Sequence, residues 1–201
     1  PCPDAPVAVS SPPPTSTATS SPDSWPSTSL SSLPALSAAC GPVLYDADLT
    51  RPDAAWPAAT TTNYTTGWTA SGFRMHVTGQ GIFTPIPSPT TVSAGDEIVS
   101  ATAQVSSGQG AWGVWCRGVD AQATRRYEFL LSHAGAVQII DGDGQYGTGW
   151  KYVTGLDMSK PVTLSARCAD VIVAPVELTL AVDGRIAFTY HPKILLGPGY
   201  S

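Results

Sequence analysis

The sequence predicts an all-β protein: an antiparallel β-sandwich preceded by a low-complexity linker. Three observations carry this expectation. From Val43 onward, about a dozen short stretches alternate apolar and polar residues with the period of two that belongs to strands. Clusters of Gly, Pro, Asp and Ser separate them at regular spacing. No stretch of ten or more residues shows a capped helical period, which leaves sheets packed face to face as the way to bury the apolar positions.

Residues 1 to 40 are poor in charge and rich in Ser, Thr and Pro, as in Ser10-Ser11-Pro12-Pro13-Pro14. Such a segment offers too little apolar area to offset its ordering entropy, so it reads as an extended linker or stalk. The folded domain is expected over residues 41 to 201. Val43-Leu44-Tyr45 reads as its first short strand, followed by the turn-rich Asp46-Ala47-Asp48-Leu49 and Trp56-Pro57. Phe73 to Val77 alternates cleanly, and Ile82-Phe83 precedes prolines that confine the next stretch to a loop or edge. Glu97 to Val105 is a long strand that turns at Ser106 to Gly110 into Trp112-Gly113-Val114-Trp115-Cys116-Arg117. Trp112, Val114 and Cys116 fall on one face of this strand, and Gly113, Trp115 and Arg117 on the other. Arg126 to Leu131, Ala136 to Ile140, Gly149 to Val153 and Val162 to Cys168 continue the series. Glu177 to Val182 and Arg185 to Phe188 flank Asp183-Gly184, the signature of a type I′ hairpin, whose two central residues take positive φ.

Four cysteines, at 2, 40, 116 and 168, lack the close spacing of a zinc site. They allow three disulfide pairings. We favour Cys2 with Cys40 and Cys116 with Cys168, because each pair lies within one compositional region. Disulfides indicate an extracytoplasmic setting, secreted or membrane-anchored at the cell envelope; the competing reading is four buried thiols in a reducing compartment. The net charge of -5 is spread without a basic cluster, so neither nucleic acid nor an anionic membrane surface is an expected partner. No stretch approaches the roughly 20 apolar residues of a spanning helix, and a membrane is expected only through an anchor outside this chain.

Tyr45-Asp46-Ala47-Asp48-Leu49 before Trp56-Pro57, then Gly113 to Arg117, Arg126-Tyr127-Glu128-Phe129, Gly149-Trp150, Ala166-Arg167-Cys168 and Leu178 to Gly184 follow one another in a recognisable order. Over Val43 to Ser201 this series resembles the concanavalin A-like (laminin G-like) β-sandwich domains of exported actinobacterial proteins. Such domains often stand behind a Pro/Ser/Thr linker and a membrane anchor or kinase. The resemblance implies a jelly roll of two curved sheets without enzymatic activity. It also implies a closing strand after the Lys193 to Gly199 region, so the sandwich is expected to lack its last strand or to receive it from another segment.

No catalytic role is expected. A glycoside hydrolase is the third reading; it needs two facing carboxylates, and the three Glu residues, 97, 128 and 177, form no acidic run. Glu128 and Glu177 are read as outward-facing, solvated or paired with Arg126 and Arg185. His76, His133 and His191 sit in strand or turn contexts without a nucleophile elbow. No resident cofactor is expected; calcium is the one ion with ligand chemistry in the sequence, at Asp46 with Asp48 or Asp141 with Asp143, where plain turns are the simpler reading. The aromatic residues are the functional lead, because sugar rings stack on exposed aromatic faces beside hydrogen-bonding groups. Trp115, Arg117, Tyr146, Trp150 and Tyr152 are the expected ligand-binding residues, with Trp56, Trp68 and Trp112 as packing anchors. The expected partner is a carbohydrate or, alternatively, another envelope protein contacted as an interaction module.

Overall fold

The computed structural model describes residues 27–36, 43, 45–78, 96–117, 126–141, 147–170 and 176–192. Their strands are β1 (Ser27–Ser29), β2 (Ala59–Thr60), β3 (Tyr64–Thr69), β4 (Gly72–Val77), β5 (Glu97–Ala103) and β6 (Ala111–Cys116). Then come β7 (Tyr127–Ser132), β8 (Ala136–Asp141), β9 (Lys151–Thr154), β10 (Val162–Ala169), β11 (Glu177–Val182) and β12 (Arg185–Tyr190). They form a five-stranded sheet in the order β1-β9-β8-β7-β6, a four-stranded sheet in the order β12-β11-β10-β5, and a small sheet β2-β3-β4. All pairings are antiparallel except that of β1 with β9. The fold is an all-β sandwich.

The two larger sheets face each other across one apolar core. Phe129, Leu131, Val137 and Ile139 enter it from the five-stranded sheet, and Leu164, Ala166, Leu178, Leu180 and Val182 from the other. Each large side chain of this kind contributes roughly 1.5–3 kcal/mol on burial. The period of two explains the division: in β10, Val162, Leu164, Ala166 and Cys168 point inward while Thr163 and Ser165 point outward. There Ser165 bonds Ser100 at 2.9 Å and Thr163 bonds Thr102 at 2.8 Å, so the outward hydroxyls find partners across the ladder. Asp183 and Gly184 take φ of 47° and 72°, as the type I′ turn requires.

The Cys116–Cys168 disulfide is formed, with its Cα atoms 6.6 Å apart. It joins β6 of one sheet to β10 of the other, so it fastens the two layers through the core rather than two neighbours in one ladder. Disulfides persist in oxidising compartments, and this bond indicates such a setting. Among the described residues no helix is long and apolar enough to cross a membrane. Cys2, Cys40, Ile82-Phe83 and the Lys193 to Ser201 end lie outside the described residues.

The structure moves one boundary. Residues 27–36, assigned by composition to the linker, belong to the sandwich. Ser27–Ser29 adds a parallel edge strand beside β9, a 3₁₀ turn follows at Leu30–Ser32, and Leu33 is buried in the core with 8% exposure. The chain then reaches the opposite sheet: Leu36 N donates to Gly184 O at 2.8 Å, and Ile186 N donates to Pro34 O at 2.7 Å. This strap orders because Leu30 and Leu33 pack on the core while its serines stay in water; the average polarity of the segment hides those two residues. Val43 and Tyr45 lie outside any strand, and β2 and β3 were not expected.

β3 is Thr-rich, yet Tyr64, Thr66 and Trp68 share a face with Phe73, Met75 and Val77 of β4. Trp56 and Trp68 meet Phe73 edge-on at 5.4 and 5.0 Å, and their indole N–H groups donate to Tyr45 Oη at 2.7 Å and to Trp56 O at 2.9 Å. Both tryptophans are therefore anchors, of a small local core. Among the described residues none of β2, β3 and β4 pairs with a strand of either larger sheet.

Candidate functional site

Of the expected aromatic residues, Trp115, Trp150 and Tyr152 are described, and the register separates Trp115 from the other two. Trp115 lies opposite Glu128, which lies opposite Ile140; Gly113 lies opposite Leu130 and Gln138. Ala111 lies opposite Ser132, whose Oγ accepts from Ala136 N at 3.0 Å, and Ala136 lies opposite Tyr152. Tyr152 and Trp115 thus share a face but stand at opposite ends of it, about 13 Å apart along the strands at the usual rise per residue.

At the Ala111 and Tyr152 end the sheet opens into a cleft of about 420 Å³ lined by Trp150, Tyr152, Gln109, Ser132 and His133 together with Gly and Ala residues. The cleft is open and shallow rather than enclosed. Antiparallel pairing builds it. The Ser107–Gly110 turn leads into β6, the His133-Ala134 turn joins β7 to β8, and both reach the same edge of the sheet, tied by His133 N donating to Gly110 O at 3.0 Å. Tyr152 is 39% exposed there. Among the described lining residues there is no Lys, Arg, Asp or Glu. Gln109, Ser132 and His133 were not expected as site residues; the sequence marks them as turn or strand-end residues, and only pairing places those ends beside Trp150.

Arg117 does not stand beside Trp115. Strand β6 ends at Cys116, Arg117 takes a left-handed φ of 56°, and its side chain is 2% exposed. Its N–H donates to Glu97 Oε1 at 3.1 Å and its Nη2 to Asp170 Oδ1 at 2.8 Å, at the side of the sandwich where β5 and β6 meet. The alternation ends one residue earlier than the sequence pattern predicts, because the backbone turns at Arg117. Gly113 leaves no open patch either: a Cβ there would lie 1.9 Å from Phe129 O, so glycine lets β7 approach β6 closely. Tyr146 and Asp143 lie outside the described residues.

Glu128 pairs with Arg126 as expected, but in a buried rather than a solvated setting, and Glu177 is half-exposed without the expected Arg185 partner. Glu128 is buried, 3% exposed, and accepts a hydrogen bond from Arg126 Nε at 2.6 Å. Burial pushes its carboxyl up to about 7; the Arg126 guanidinium opposes this shift and the Asp141 charge adds to it. Glu177 is 4.0 Å from His191, not paired with Arg185, because the hairpin puts residues 177 and 185 at opposite ends of its ladder. Arg185 instead donates to Leu33 O at 3.3 Å. Asp48 accepts from Thr50 N, Thr50 Oγ1 and Arg51 Nε, which use its carboxylate within a turn and hold its pKa below the usual value. Among the described residues no three His, Cys, Asp or Glu side chains group as metal ligands. Trp112 packs against the core as expected, with its Nε1 buried and without a hydrogen-bond partner.

No family model, no curated protein and no solved structure matches the chain. The fold and the site together define a disulfide-fastened β-sandwich with an uncharged aromatic cleft at one end of its five-stranded sheet.

Proposed function

We infer that this is an extracytoplasmic, non-catalytic β-sandwich of the concanavalin A-like kind that binds carbohydrate in the Trp150–Tyr152 cleft. The observation that carries this reading is the lining: two aromatic side chains beside an amide, a hydroxyl and an imidazole, with no charge among the described lining residues. An aromatic ring gives the C–H face of a pyranose an apolar, weakly negative surface. Gln109 and His133, both exposed, supply donors and acceptors for hydroxyls. Hydrolysis is disfavoured because Glu128 is enclosed with Arg126 near Trp115, at the end of the sheet away from the cleft.

The test is binding of the full chain to a panel of cell-wall and plant polysaccharides, with Trp150→Ala, Tyr152→Ala and Trp115→Ala compared. A central aromatic anchor is worth about 2 kcal/mol, so Trp150→Ala is expected to weaken binding about 30-fold. Trp115→Ala is expected to bind as the wild type does. Equal binding by wild type and Trp150→Ala, or no binding to any glycan, overturns the assignment.

A second reading, a protein-interaction module of an envelope assembly, is favoured by the small sheet. Met75 and Val77, 49% and 47% exposed, lie on the same face of β3-β4 as Tyr64. Met75→Glu abolishing co-purification with an envelope protein, with glycan binding absent, would favour it.

A further inference from the structure

The aromatic cleft is part of a longer feature. The ladders place one residue from each strand of the five-stranded sheet in a single row on its outer face. Ala111 lies opposite Ser132, and Ala136 lies opposite Tyr152, which on its other side lies opposite Ser27 of the strap. Ser132 and Ala136 are joined across the β7–β8 turn, where Ala136 N donates to Ser132 Oγ at 3.0 Å. Four strand spacings make the row about 19 Å long. Tyr152 is its one large side chain; the other four are Ala or Ser, so the floor is low. The turns carrying Gln109 and His133 bound it on one side. On the other stands the next outward row, Leu130 opposite Gln138, with Trp150 level with it because Lys151 lies opposite Val137. The row begins and ends on the outermost strands, β6 and β1, and among the described residues no further strand closes either end.

Resting on the carbohydrate reading of the cleft, we propose that this row is the floor of a trough whose ligand is an internal stretch of an extended, uncharged polysaccharide, and that Ser27 contacts the sugar beyond Tyr152. A trough open at both ends suits the middle of a chain rather than its terminus. One sugar with its linkage is about as long as one strand spacing, so the row takes several successive sugars. One stacks on the Tyr152 ring, and its neighbours lie over Ala136 and Ser27. The floor also supplies hydrogen-bonding groups along this line. Ser132 Oγ, having accepted from Ala136 N, keeps its own proton to donate, and Ser27 is exposed at the far end. The cation of β9 is directed elsewhere: Lys151 alternates to the opposite face, where its ammonium lies 4.3 Å from the centre of the Phe188 ring. Lys160 is paired with Asp157 at 2.8 Å. A carboxylated or phosphorylated chain would lose hydration on this floor and meet no cation among the described lining residues, whereas hydroxyls exchange water for Ser, Gln and His partners.

The test is calorimetric titration of the full chain with cello- and manno-oligosaccharides of two, four and six sugars, with hexagalacturonate as the charged counterpart. Affinity for at least one neutral series is expected to rise about tenfold from two sugars to six. Ser27→Ala, which keeps the backbone ladder to β9, is expected to weaken the hexasaccharide about fivefold and to leave the disaccharide unchanged. Ala111→Trp, at the exposed other end, is expected to obstruct the hexasaccharide and spare the disaccharide. A merely structural effect of either variant would weaken both lengths alike. Hexagalacturonate is expected not to bind. Equal affinity for two and six sugars overturns the trough, and if Trp150→Ala still weakens the disaccharide the carbohydrate reading stands without it. A Ser27→Ala variant that binds the hexasaccharide as the wild type does, or loses both lengths equally, overturns the contact at Ser27. Hexagalacturonate bound as tightly as the neutral hexasaccharide overturns the uncharged class. Failure of every oligosaccharide to bind overturns the trough, and failure of the whole polysaccharide panel overturns the carbohydrate reading with it.

Discussion

The two long sides of the sandwich are closed by opposite means. On one side the edge strands β5 and β6 meet, Cys116 is bonded to Cys168, and the buried Arg117 joins Glu97 and Asp170. Asp170 N in turn donates to Asp96 Oδ1 at 2.7 Å. On the other side the strap lies across the gap between β9 and β12; among the described residues it is held by two leucines, a three-residue ladder, a few backbone bonds and the Arg185 guanidinium. The first side is fastened by residues that announce themselves in a sequence. The second is fastened by a segment whose composition resembles a linker. A sheet edge therefore needs no strong strand signal to be covered, only a short extended piece with apolar residues at the right spacing.

Breaking the first side is expected to have the larger effect. The Cys116→Ala/Cys168→Ala double variant should lose about 4 kcal/mol, the loop-entropy value for a separation of 52 residues, read as a lower urea midpoint. A reductant should reproduce that loss in the wild type. On the second side Leu33→Ala should cost about 2–3 kcal/mol, at the low end for a buried leucine because the seam can relax. The two losses should add within about 0.5 kcal/mol, since they act on opposite sides; marked non-additivity would show that the seams open together. Hydrogen exchange sharpens the contrast: the Leu36 and Ile186 amides, bonded across the strap, should exchange faster than the Ile139 amide in the core.

A pH series separates the buried charges from the disulfide. The Glu128 carboxyl, raised to about 7 in the fold, is protonated there at pH values where the unfolded chain has already ionised. The folded state then binds more protons than the unfolded state, so stability falls as pH rises from about 4.5 to about 7. Tm should decline across that window in the wild type and much less in Glu128→Gln, with the disulfide intact in both. The smallest effect is expected at Arg185→Met. Losing one long hydrogen bond to Leu33 O should cost about 0.5–1 kcal/mol, visible as a small shift in Tm.

Residue spacing alone determined much of the fold. The all-β class, the strands from Glu97 to Phe188, the Asp183-Gly184 hairpin and the Cys116–Cys168 bond are local or pairwise patterns, and a two-residue period or a Gly at positive φ has the same meaning in any surroundings. The site was half legible. Trp150 and Tyr152 were named for their aromatic rings and do line the cleft, whereas Gln109, Ser132 and His133 join them only because antiparallel pairing brings two turns to one edge. Arg117 and Gly113 were misplaced for a related reason: backbone dihedrals and inter-strand distance decide whether a side chain reaches the surface, and neither is written in alternation. Glu128 became a buried acid, and Leu33 of the 27–36 strap became part of the core, because burial is a property of what packs above a residue. Those partners lie tens of positions away in the chain, so the tertiary structure alone assigns them.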